Sequence, residues 1–284
     1  MSAPMTFFRP ETWDQAWNFW DANPDARIVA GGTDLVVKWK NGGMKELKGL
    51  LDLGLLGLDR IEVSGEKLRI GSGCTMSRIA ENPDVKKFCP VLADAVKQVG
   101  ALQIRNLATL GGNVANASQA GDSIPALFAL EAVVLLRNRG GERRVPIAEF
   151  FTGPGKSVLA KGECIIAFEL PLRLTRGVFF KLGERRAHAI SKISLAVACW
   201  KDKDHQVWRI ACGAVAPTVI HCRQAEHELE KMPGIPSEAL IQSVSDIASR
   251  ETRPIDDLRS TRAYRQNMVG VLVQRALKAL SAPL

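Results

Sequence analysis

The sequence has no C-x-x-C pair, although it carries six cysteines (Cys74, Cys89, Cys164, Cys199, Cys212 and Cys222) in 284 residues. Iron–sulfur clusters need closely spaced thiolates, so this scatter speaks against any metal held by the chain itself. Several of the cysteines sit in apolar runs, as in Val197-Ala198-Cys199-Trp200, which suits buried reduced thiols better than disulfides. No apolar run approaches the ~20 residues that cross a bilayer. The opening stretch MSAPMTFFRPETWDQ also lacks a basic region followed by an apolar core. A cytoplasmic chain without membrane contact is the expectation. There is no block of five or six like charges, so the net charge of +8 is spread along the chain. The densest basic stretch, Lys181-Leu182-Gly183-Glu184-Arg185-Arg186, is interrupted by acidic and apolar residues, and a nucleic-acid partner is not expected. G-x-G-x-x-G is absent too, which leaves the nicotinamide-type dinucleotide fold without support.

What is present is ordinary in bulk: 46% apolar and 24% charged residues, in a chain long enough for two domains. Between Glu11 and Asn23, Trp13, Ala16, Trp17 and Trp20 fall on one helical face, a stripe that reads as core. The short β-branched run Ala26–Ala30 predicts a buried strand, followed by Gly31-Gly32-Thr33-Asp34 and a helical pattern from Leu35. Strands are expected at 60–63, 67–71, 132–137, 143–145 and 163–170, with helices at 75–81, 91–99 and 123–131. The pattern changes near residue 175. Three β-rich runs (178–182, 194–200 and 207–215) precede three helical ones (223–230, 237–250 and 261–280). This order predicts an α+β C-terminal domain at 176–284, after a domain at 1–175 with subdomains of about 1–58 and 59–175.

Two glycine loops carry the chemistry. Backbone N–H groups left free in a tight glycine turn form a concave anion site, because a Cβ would hold a phosphate away. Gly31-Gly32 offers one such nest at a strand end, and Thr109-Leu110-Gly111-Gly112-Asn113 offers a second. Two separated nests suit a pyrophosphate better than a single phosphate. Thr33, Thr109, Asn113 and Ser118 add side-chain donors, while Asp122 is expected to accept from ribityl or ribose hydroxyls or to cap the helix beginning near Ser123. Gly153-Pro154-Gly155-Lys156-Ser157 is similar to the end of a P-loop, but Phe150 stands where that motif needs glycine, so it reads as a loop. His221, Cys222 and His227 match no zinc spacing and read as packing. Tyr264 reads as a packing or capping residue, Asp246 and Glu251 as solvated helix charges, and Trp200 and Trp208 as core flanking a hairpin.

Together, Ile28-Val29-Ala30-Gly31-Gly32-Thr33-Asp34-Leu35, Gln103-Ile104-Arg105-Asn106 with Thr109–Asn113, and Ala117–Leu127 make a specific ordered set. With Phe151–Lys156, Phe180-Lys181, Arg185, Ala189-Ile190-Ser191, Asp256–Arg259 and Ala263-Tyr264-Arg265, this set resembles the FAD-binding medium subunit of molybdenum hydroxylases of the xanthine dehydrogenase type. The resemblance covers nearly the whole chain. It implies a two-subdomain FAD-binding fold of the vanillyl-alcohol-oxidase type plus a small α+β C-terminal domain with a three-stranded sheet. It also implies that Ile28, Val29, Ala30, Gly31, Gly32, Thr33, Asp34 and Leu35, with Thr109, Gly111, Gly112 and Asn113, hold the FAD pyrophosphate. Asp122 would contact the ribityl or adenosine side, and Ile165 and Lys181 would lie near the isoalloxazine, where Lys181 could stabilise the reduced ring. Gln119 stands where many relatives have proline. No side-chain acid, base or nucleophile is named as catalytic. Molybdopterin and iron–sulfur clusters are expected in large and small partner subunits only, with NAD as the expected acceptor. The competing readings are a free-standing flavin oxidase, which would need an acid–base cluster between 176 and 284 that the sequence lacks, and a non-redox module for a phosphorylated ligand.

Overall fold

The computed structural model describes residues 5–44, 47–185, 188–203, 205–231 and 234–281. Arg186 of the basic stretch lies outside these. Near the N-terminus three short strands pair in parallel in the order Thr6–Phe8, Gly49–Asp52, Arg27–Val29. The tryptophan-striped segment forms the helix Trp13–Ala22, started by Thr12, whose hydroxyl accepts from the Gln15 amide. Ala16 and Trp17 are buried beneath it and Trp13 and Trp20 pack at its flanks, as the stripe predicted. The strand Arg27–Val29 departs from expectation. It is an edge strand, with Arg27 exposed and Ile28 and Val29 half-buried, because only one neighbour covers it.

A five-stranded antiparallel sheet follows, in the order Ile61–Ser64, Lys67–Gly71, Cys164–Pro171, Val133–Asn138, Gly141–Pro146. Its central strand shows how one sequence serves two cores. Ile165, Phe168 and Leu170 face the large core, whereas Cys164, Ile166 and Ala167 face the layer holding Trp17 and Leu51. Strict alternation would put Ala167 with Ile165; a bulge between Ile165 and Ala167 shifts the register and sends Ala167 to the other face. Helices Met76–Glu81, Pro90–Lys97 and Ser123–Ala129 contribute the opposite wall of the large core. Burial pushes the thiols of Cys89 and Cys164 up to about 12, so they remain protonated packing residues. All six cysteines are buried and free.

The C-terminal sheet has four strands, one more than the resemblance implied: Arg176–Leu182, Ile193–Asp202, His205–Gly213 and the two-residue Ile220–His221. Along its second strand, Ile193, Leu195, Val197 and Cys199 face the helices Glu238–Glu251 and Arg262–Ser281. Ala196, Ala198 and Trp200 face the large core instead. Covered on both faces, the strand reads from Leu195 to Trp200 as an unbroken apolar run rather than as alternation. At the seam, Glu131 accepts from Arg173 (2.9 Å) and Arg209 (2.7 Å), and both guanidiniums lie over the Trp200 ring. Trp200 and Trp208 are core, as expected. Tyr264 is not a packing residue but 45% exposed. Glu251 is not a solvated charge either: its carboxylate accepts the Gln224 and Ala225 amides and so satisfies the start of the helix Arg223–Glu230. No helix among the described residues is long and apolar enough to cross a membrane.

Candidate functional site

The strand Arg27–Val29 runs out at Ala30, and the chain turns through Gly31 and Gly32 into the short helix Leu35–Lys40. Gly32 sits at φ +69°, a left-handed conformation that a side chain disfavours. Gly31 is required for a different reason. A Cβ there would lie 1.9 Å from the Leu107 carbonyl oxygen, so the first loop is pressed directly onto the segment leading into the second. The backbone amides of Gly31, Gly32, Thr33, Asp34 and Leu35 find no acceptor among the described residues. Five consecutive N–H groups without an acceptor among the described residues, at a strand end, are donors of the kind a doubly charged pyrophosphate takes. Asn116 locks the two loops together, donating to the Asp34 carboxylate (3.2 Å) and accepting from Lys38 Nζ (2.5 Å).

The second loop is built differently from the expectation. Four of its five amides are engaged: Leu110 donates to the Cys74 carbonyl, Gly111 to that of Ser72, Asn113 to that of Thr109, and Gly112 to the Thr109 hydroxyl (3.1 Å), while that of Thr109 has no acceptor among the described residues. It is therefore the capped start of the helix Leu110–Ala115, not a second nest of free amides. Gly111 is glycine because a Cβ would meet Ser72 Cβ at 2.6 Å. At Gly112 an added Cβ would meet only Thr109 Oγ1, and the residue is exposed. Asn113 accepts from Ser123 Oγ (2.7 Å), and its own Nδ2 has no acceptor among the described residues.

That bond leads to Asp122, one residue before Ser123. Asp122 is 5% exposed and makes no cap bond, so the capping expectation fails. Its Oδ2 accepts from Lys181 Nζ (2.5 Å) and its Oδ1 from Ser191 Oγ (2.5 Å). Lys181 Nζ donates as well to the Gln98 carbonyl (2.9 Å), and the side chain is only 10% exposed, so it is no surface lysine. Burial raises the Asp122 pKa, and the Lys181 ammonium and its hydrogen bonds work the other way. The structure thus brings Gly31, Gly32, Thr109–Asn113, Asp122 and Lys181 into one linked set. Ile165 lies on the central strand, buried in the large core, while Ile28 and Val29 lead into the first loop. Sequence reasoning assigned no role to Gln98, which acts through its backbone carbonyl and so leaves no side-chain signal. Asn116 and Ser72 were missed for want of any visible partner in sequence.

Other groups do less. Gly153–Ser157 forms a tight ribbon, Phe151–Gly153 against Lys156–Ser157, with no helix behind it to make a phosphate site. His221 pairs with Glu226 (2.8 Å), a packing arrangement as expected. Among the described residues no group of three or more His, Cys, Asp or Glu side chains could hold a metal ion.

Residues 3–173 match the family described as the FAD binding domain in molybdopterin dehydrogenase. Residues 178–280 match the CO dehydrogenase flavoprotein C-terminal domain. The chain is 29% identical over 278 residues to the xanthine dehydrogenase FAD-binding subunit of Escherichia coli O157:H7, covering 96% of this chain and 94% of that one. It is 32% identical over 238 residues to the nicotinate dehydrogenase FAD-subunit of Eubacterium barkeri, covering 80% of each. Among solved structures, a chain of carbon monoxide dehydrogenase from Hydrogenophaga pseudoflava superposes with a TM-score of 0.90 at 28% identity, over 98% of both chains. The fold, the linked glycine loops and these matches agree: the chain belongs to the family of FAD-binding flavoprotein subunits of molybdenum hydroxylases, the xanthine and CO dehydrogenase type.

Proposed function

We propose that this chain is the electron-transfer subunit of a cytoplasmic molybdenum hydroxylase, taking electrons from iron–sulfur clusters in a small partner subunit and passing them to NAD. A molybdopterin-binding large subunit would oxidise the organic substrate. The observation that carries the reading is the row of five free amides from Gly31 to Leu35, locked against the second glycine loop. Residues Ile28–Leu35 would cradle the pyrophosphate through those amides, with Thr109, Gly112 and Asn113 closing its other side through the Thr109 hydroxyl, the open approach at Gly112 and the Asn113 Nδ2. Gly111 would set how closely that side approaches. Ile165 and Lys181 would flank the isoalloxazine, with Asp122 behind Lys181. The FAD-binding part would comprise 1–175, divided near residue 58, and 176–284 the C-terminal domain.

Bound FAD supplies a store that fills one electron at a time and empties by pairs. The chain's own contribution is position and charge: the amide row fixes the diphosphate, and the buried ammonium of Lys181 offers a fixed positive charge where negative charge would build up. Anaerobic mixing of the purified flavoprotein with NADH tests the acceptor. Bleaching of the flavin absorbance supports NAD. Bleaching by reduced partner subunit alone would replace NAD by another acceptor, and bleaching by neither would overturn the electron-transfer reading.

A further inference from the structure

We infer that Asp122 and Ser191 are positioning residues that set the charge Lys181 presents to the flavin. The inference rests on the reading that places Lys181 beside the flavin. Both Asp122 oxygens are engaged, Oδ2 by Lys181 and Oδ1 by Ser191, each at 2.5 Å and away from water. An ammonium has three donors. Two of those on Lys181 go to Asp122 and the Gln98 carbonyl, which leaves one without a partner among the described residues on a side chain nine-tenths buried. Asn113, in the second glycine loop, is tied to Ser123 next to Asp122, so the free donor belongs to the same linked set as the pyrophosphate loops. Ser191 begins the return from the segment after Lys181 into the strand Ile193–Asp202 and is itself fully buried. Its hydroxyl disperses charge on the carboxylate. Without that bond Asp122 would bind Lys181 more strongly and neutralise more of its field.

The test compares the flavoprotein with Ser191→Ala, Ser191→Thr, Lys181→Gln and the Ser191→Ala/Lys181→Gln pair. Released FAD per chain and the two-electron midpoint potential are measured for each. Ser191→Ala should keep its FAD and weaken binding of the reduced form relative to the oxidised form by roughly two- to tenfold, tenfold being about 30 mV downward. Ser191→Thr, which keeps the hydroxyl, should restore the wild-type potential. Lys181→Gln should lower the potential further, and adding Ser191→Ala to it should change nothing. A shift on Ser191→Ala that persists in the Lys181→Gln background would overturn the positioning role while leaving Lys181 at the flavin. An unchanged potential for Ser191→Ala, with Lys181→Gln shifted, would do the same. An unchanged potential for Lys181→Gln with FAD retained would remove Lys181 from the flavin and the inference with it.

Discussion

Gly31 and Gly112 look alike in sequence, each the neighbour of another glycine, yet the structure asks different things of them. At Gly31 an added Cβ would sit 1.9 Å from a backbone oxygen, and neither loop can retreat without breaking the Asn116 lock. Gly31→Ala is expected to cost at least about 1–3 kcal/mol of stability and to abolish FAD retention, read by thermal melting and by flavin released per chain. Gly112→Ala would meet only the Thr109 hydroxyl, so its melting temperature should stay near wild type while FAD binding weakens. Equal melting of the two variants would contradict the assignment of Gly31 as the loop junction. At this scale the sequence was informative about which glycines matter and uninformative about why. A free amide and an engaged amide carry the same letter, and the partners of Leu110 and Gly111, at Cys74 and Ser72, lie far back in the chain. Asp122 misled for a related reason. An acidic residue before a helix is usually a cap, and only the fold reveals that Lys181 and Ser191, 59 and 69 residues away, have claimed it.

At the scale of elements, long amphipathic segments were legible and short or doubly covered ones were not. The helices Trp13–Ala22, Glu238–Glu251 and Arg262–Ser281 follow from their apolar spacing, and the structure adds Thr12 and Ser237 as caps of the first two. The strand Arg27–Val29 is less buried than its composition predicts, because β-branching speaks to strand formation and not to the number of neighbours. The two-residue strand Ile220–His221 is too short to show any period. The five-stranded sheet also carries a cross-strand charge cluster: Glu169 on the central strand is held by Arg144 and by Lys67 (2.9 Å). The Arg144 hydrogen bond, first of its causes, lowers the Glu169 pKa to about 2 from an ordinary 4.5. A carboxylate depressed in the folded state adds stability that is complete above the unfolded value and is lost as pH falls through about 2. Glu169→Gln should therefore cost about 1–2 kcal/mol at neutral pH, less than the full shift because Arg144 and Lys67 are half-exposed. It should also flatten the acid limb of the stability profile between about pH 4.5 and 2. Chemical denaturation across that range checks both. Parallel acid limbs for variant and wild type would contradict the pairing.

Across the whole molecule, the C-terminal sheet is the shared wall of two cores, and this is why the apolar run at 195–200 is continuous. A sheet packed on both faces should not melt apart from the layer beneath it. Calorimetry of the FAD-loaded chain is expected to show one cooperative transition; two separated transitions would contradict the shared core. Glu131→Ala should lower that single transition by a few degrees, since it removes the carboxylate that the two guanidiniums of Arg173 and Arg209 share at the seam. Such long-range pairings are what single-sequence reasoning could not reach, whereas family membership was legible in the ordered glycine loops well before any contact was known. The most direct test of the account is the absorption spectrum of the purified chain, followed by identification of what acid precipitation releases. Flavin bands near one per chain, with FAD rather than FMN released, are the predicted result. A protein that is colourless and stays so after incubation with FAD would contradict it.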